Sequence, residues 1–228
     1  MKKTLSIKLL PLAVLLAISS SSAQSANWLM LQGTEKPNAP TTKLWGFIQV
    51  DYQQTDDTKL KAGPYKGQSA AFNQMAPQRS TSSGFNVKRA RIGVRGSNVA
   101  GDDKINYFLL TEFGNNGMTT GKGGSQGQLT DASITLNHIP GARVRVGLFK
   151  TPGAEEAGQA IGTMNYVNFS TVTNRLLMER HFSNATGETS RSAPAASFRD
   201  IGVQVFDTFN LSGWDTSYAV MYGNGNGL

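Results

Sequence analysis

The 228-residue sequence has no cysteine and only two histidines, His138 and His181. Without thiols there can be no disulfide framework, which suits a chain that crosses an oxidising periplasm unaided. The two histidines share no ligand spacing, so nothing in the sequence points to a metal. No stretch is apolar for the roughly 20 residues that a spanning helix requires, and a helical membrane protein is excluded. Positive charge is not concentrated either: the formal +7 is spread along the chain, with no basic patch or module of the kind that binds nucleic acid. With 25 glycines and 8 prolines, sustained helices are unexpected over most of the length.

Enzyme signatures are missing as well. Gly117–Lys122 (GMTTGK) is too short for a phosphate loop, has Gly123 where a hydroxyl residue is required, and no helix follows. The glycines of 223–227 lack the helix of a dinucleotide site. His138 lies in a turn and His181 in a loop, with no serine placed beside either to form a nucleophile and base pair. The expectation is therefore no reaction, no cofactor and no metal.

What is present begins with an export signal. Lys2 and Lys3 make a basic end, Leu9–Ile18 is apolar, and Ser19–Ala26 is small and polar, the layout of a secretory signal peptide over residues 1–26. Its removal would take away Lys2, Lys3 and Lys8 and reduce the net charge from +7 to +4. Residues 27–42, broken by Pro37 and Pro40, read as an irregular periplasmic leader.

The organising stretch is Phe85–Gly96, FNVKRARIGVRG. Arg89, Arg91 and Arg95 alternate with Ala90, Ile92 and Val94, so a strand here has one cationic face and one apolar face. A soluble sheet would turn the apolar face to a core; an outer-membrane barrel would turn it to lipid and the arginines to a wet lumen. Similar alternation marks Lys43–Gln53, Lys104–Gly114, Gln128–Asn137, Arg143–Phe149, Arg199–Phe206 and Trp214–Tyr222, giving about seven strands. Phe108 and Leu110 fall on the polar face of the third strand. Either they touch a loop folded inside, or that face is misassigned in mid-strand.

Connections are long after the first, third and fifth strands and short after the second, fourth and sixth. An outer-membrane barrel has this asymmetry, with short periplasmic turns and long extracellular loops. The expected fold is all-β: a transmembrane antiparallel β-barrel of porin type, incomplete in this chain. Seven is odd, a water-filled channel takes about 16 to 18 strands, and residues 43–228 read as the N-terminal part of a longer barrel. An eight-strand barrel completed by the leader is the alternative.

Arg89, Arg91, Arg95, Arg143 and Arg145 fall on the expected lumen wall, with Lys150 where the fifth strand enters the longest connection, 150–198. Rings of Arg and Lys favour anions in pores, and the guanidinium fork matches phosphate and carboxylate. The bland reading is that acids on neighbouring strands neutralise them. With the wall faces of strands two and three aligned, Arg89 is expected opposite Glu112, and Asp131 could neutralise a second arginine. The channel is then either anion-selective or weakly selective.

The segments NVKRARIGVRG and LTDASITLNHIPGARVRVGLFKTPGAEE, with RDIGVQVFD and MYGNGNG after them, resemble the phosphate-selective porin O and P family over most of Trp45–Gly225. The resemblance implies a sixteen-strand type of outer-membrane barrel, usually a trimer, with loop three folded inward as a constriction. It suggests ion-pathway roles for Arg89, Arg91, Arg143, Arg145 and Lys150. It also makes Arg175, Arg180 and Glu179 constriction-loop residues, in a loop that departs from the family by having no lysine between Thr151 and Ala196. The expected function is passive diffusion of small hydrophilic solutes, anions such as phosphate favoured, in contact with outer-membrane lipid. A non-conducting barrel used for adhesion or surface structure is the competing reading.

Overall fold

Alternating side chains on each segment resolve into one antiparallel sheet in the computed structural model, which describes residues 28–36, 39–53, 59, 61–63, 66–67, 84–116, 119, 127–153, 155–159, 169–170, 173, 181–183, 189–191 and 198–225. The expected signal peptide lies outside the described residues.

A short helix, α1 (Trp28–Leu31), precedes β1 (Lys43–Gln53), β2 (Gly84–Gly96), β3 (Ile105–Glu112), β4 (Gln128–Leu136) and β5 (Arg143–Lys150). The connection that follows holds α2 (Glu155–Gly158) and a separate small hairpin, β6 (His181–Ser183) with β7 (Thr189–Arg191). The sheet then resumes with β8 (Arg199–Leu211) and β9 (Trp214–Gly223). Its seven strands lie in the order β1-β2-β3-β4-β5-β8-β9, every neighbour antiparallel, with β1 and β9 as edges and no closure among the described residues. The long and short connections therefore fall at opposite ends, as their lengths predict.

The sixth strand runs further than its alternation suggested. It continues to Leu211 and reverses through Ser212 and Gly213 alone, both at positive φ (52° and 88°), a hairpin turn whose twist matches that of the strands.

One face of the sheet is apolar and uncovered. Ile48 is 74% exposed, Ile92 58% and Val220 70%, and Leu44, Leu109, Ile134, Val146, Ile201 and Val203 extend the band. At the long-loop end of this band Tyr52 and Phe85 pack edge to face, and at the short-turn end Phe209 packs against Tyr218. The strands of this sheet pack closely in mid-band. Gly147, at φ 128°, lies so near β4 that a Cβ there would stand 2.2 Å from the Ala132 carbonyl oxygen.

Two bulges set which polar residues reach the other face. Between Gln49 and Val50 the register steps past Lys88, so Asn86 and Lys88 are buried on the polar face before the bulge and Arg89 and Arg91 after it. Between Leu110 and Thr111 the register steps past Thr130, placing both Thr130 and Asp131 inside. Each bulge adds a polar side chain to that face.

The polar face also carries a small apolar cluster. Phe108 and Leu110 are buried there, with Leu31 and Trp45 packed on them and the Trp45 and Phe108 rings 5.5 Å apart. The face assignment of β3 is thus correct. The segment folded against it comes from the N-terminal side, where residues 28–36 lie on the sheet, and not from a connection between strands.

Candidate ion pathway

The cations of the polar face divide into two groups. Near the long-loop end stand Lys88, Arg89, Arg91, Lys150 and Arg199, all buried. Arg91 Nε lies 2.6 Å from Glu112 Oε2, and Arg199 Nη2 lies 3.2 Å from Asp131 Oδ2. Glu112 Oε1 also accepts from the backbone N–H of Ala90 (2.9 Å) and Gly114 (2.8 Å), which fixes the carboxylate at the end of β3. Arg89 donates to the Gln49 side chain. Lys150 lies within electrostatic reach of Arg199, Arg91, Arg89 and Asp131, and its Nζ donates to the Gln159 carbonyl at 3.2 Å.

The described parts of the longest connection lean on this group. Phe169 and Phe198 are buried, with rings 5.8 Å apart. Arg89 stands 5.8 Å from the Phe169 centroid, and Lys150 (5.2 Å) and Arg199 (5.0 Å) face the Phe198 ring. Ring faces are electronegative, so these cations keep partial compensation where water is scarce. Nearby, the Glu156 carboxylate accepts from Ser170 N (2.5 Å), Ser170 Oγ (2.7 Å) and Thr173 Oγ1 (2.5 Å), tying two parts of the connection together. Burial acts to raise Glu156, but the hydrogen bonds from Thr173 and Ser170 outweigh it and hold its carboxyl below the usual range. Arg175, Glu179 and Arg180 lie outside the described residues.

Arg95, Arg143 and Arg145 form the second group, nearer the short turns. Arg143 Nε lies 3.1 Å from Asp207 Oδ1. Arg95 pairs with Glu35 and donates to the Thr34 carbonyl at 3.0 Å. Arg145 is fully buried between Phe206 (4.1 Å from the centroid) and Phe149 (5.6 Å). It donates to Thr135 Oγ1 (3.3 Å), Gln204 Oε1 (3.2 Å) and the carbonyls of Leu29 (2.6 Å) and Gln32.

One pairing differs from expectation: the residue opposite Glu112 is Arg91, and Arg89 stands opposite Gln49. The reversal itself pairs Val99 with Asp102, a register that would carry Arg89 onto Glu112. Before the ladder begins at Gly96 and Tyr107, however, the chain advances two residues further on the β3 side, and every later pair slips by that amount. An even slip keeps the faces aligned while changing the partner. Asp131 does take an arginine, but it is Arg199.

The alternation did not place Lys88 and Arg199 on the cationic face, where both are buried. Lys88 had a signal: two adjacent cations, Lys88 and Arg89, cannot both face one side of an uninterrupted strand, so one wrong-face charge or a bulge is required. Arg199 had none, because burial at the first residue of β8 depends on what covers it.

No curated protein and no solved structure matches the chain. Residues 48–199, two thirds of the sequence, match the family described as phosphate-selective porin O and P. That span includes both bulged strands and every cation of the two groups, Arg199 being its last residue, and the chain belongs to the phosphate-selective porin O and P family.

Proposed function

We propose that the protein is an outer-membrane porin through which small hydrophilic solutes diffuse passively, with small anions such as phosphate favoured. On this reading residues 1–26 direct export, the exposed apolar band meets lipid, and the cationic face lines the solute path. A homotrimer is the assembly that family membership suggests. The observation that carries the proposal is the cluster of Lys88, Arg89, Arg91, Lys150 and Arg199, set on the face opposite an uncovered apolar band. Buried charges are costly unless compensated, and Glu112 and Asp131 compensate two of these arginines. Arg91 Nη1 nevertheless has no hydrogen-bond acceptor among the described residues, so this buried guanidinium keeps a donor to offer an oxyanion.

The paired arginines favour a second reading, a weakly selective channel: Arg91, Arg95, Arg143 and Arg199 each have a carboxylate partner that cancels charge. Planar-bilayer recordings of the full-length protein under a salt gradient separate the two. Anion preference should appear in the wild type and shift toward cations in Arg91→Gln and Lys150→Gln. A reversal potential unmoved by both substitutions would place those side chains outside the ion path, and an absence of channel events would favour the non-conducting barrel.

A further inference from the structure

The segment before β1 occupies the ground that two of the arginines, Arg95 and Arg145, would need. Leu31 sits on Phe108 and Leu110. Gln32 is fully buried, donating to Asp131 Oδ1 from its side chain and offering its carbonyl to Arg145. Gly33, at φ 75°, passes so close to the sheet that a Cβ would lie 3.2 Å from both Phe108 Cβ and Thr135 Oγ1. Glu35 pairs with Arg95, and its backbone N–H donates to Asn106 Oδ1 at 3.2 Å. The segment is thus pinned at both ends by arginines of the wall.

The nature of the acceptors is informative. The acceptors that bond Arg145 are uncharged: two backbone carbonyls, a hydroxyl and an amide oxygen. A guanidinium pairs with a charged oxyanion through opposite charge and two parallel N–H···O bonds, neither of which a single neutral carbonyl supplies. The Leu29 and Gln32 carbonyls therefore stand where a better ligand would bind.

We infer that residues 28–36 are a displaceable internal strap: their carbonyls and the Glu35 carboxylate compete with small oxyanions for Arg145 and Arg95, so that anion arrival releases the strap and widens the path. The inference rests on the porin reading for what the release achieves, but the competition itself is a property of the strap and the wall. Linkage makes it reciprocal: whatever loosens the strap must raise anion affinity at these arginines.

A sequence without cysteine makes the test clean. Leu31→Cys, in the full-length protein in detergent or vesicles, gives one thiol on the strap where it packs on Phe108 and Leu110, and its labelling by a maleimide reports undocking. Inorganic phosphate should speed labelling on the order of fivefold or more relative to chloride at equal ionic strength. A second variant, Gly33→Val, leaves the wall intact but cannot seat the strap; combined with Leu31→Cys it should label fast without phosphate, and alone it should raise single-channel conductance. Labelling of Leu31→Cys that ignores phosphate, whether slow or fast, overturns the competition. Unchanged conductance in Gly33→Val overturns the obstruction. Should the wild type form no channels while phosphate still accelerates labelling, the porin reading fails and the strap competition stands.

Discussion

Arg91 and Glu112 face each other across the β2–β3 ladder, with Nε 2.6 Å from Oε2 and side chains 2% and 0% exposed. Because Glu112 also holds the N–H groups of Ala90 and Gly114, this one carboxylate joins a buried arginine to the end of a strand pair. Removing it leaves a buried guanidinium without its counter-charge, a loss worth about 3–5 kcal/mol. Glu112→Ala should therefore lower the unfolding free energy in detergent by that amount, read by denaturant titration. A loss below about 1 kcal/mol would put the pair in the class of solvated surface bridges.

A second pair ties the short turns together. His138 Nε2 lies 2.8 Å from Asp102 Oδ2, joining the β2–β3 turn to the β4–β5 turn. The hydrogen bond to His138, and then the Lys104 N–H, hold the Asp102 carboxyl below its ordinary value of 3.8. A depressed carboxylate contributes stability that is present above the unfolded value and lost as pH falls through the folded one. The stability difference between wild type and Asp102→Asn should thus be present just above pH 3.8 and shrink as pH falls below it. Thermal melts across that range check this; a difference unchanged at the acid end would remove the carboxylate from the account.

The exposed apolar band makes a prediction about its surroundings. Ile92 is 58% exposed on the face away from the arginines. Against lipid near mid-membrane, Ile92→Lys should cost about 2–4 kcal/mol, whereas on a water-facing surface the same change stays within about 0.5 kcal/mol. Folding equilibria in phospholipid vesicles decide between these; a cost at the smaller figure would mean that water bathes this face.

Much of this architecture follows from local sequence. Period-two alternation located seven strands and their two faces, because each side chain's side of a strand is fixed by its neighbours along the chain. Connection length likewise assigned the long and short ends. That these arginines share a face was legible for the same reason, and Arg89, Arg91 and Arg145 are buried on one face.

Three features were decided only by the folded chain. Bulges at Lys88 and Thr130 depend on how two strands match, so a wall position that breaks strict alternation is invisible to either strand alone. The partner of Glu112 depended on residues between the Val99–Asp102 reversal and the ladder, where a slip of two preserves every face and changes every pair. The burial of Arg145 beneath Leu29 and Gln32 joins residues more than a hundred positions apart. Alternation states which way a side chain points; what meets it there is set by contacts between distant parts of the chain.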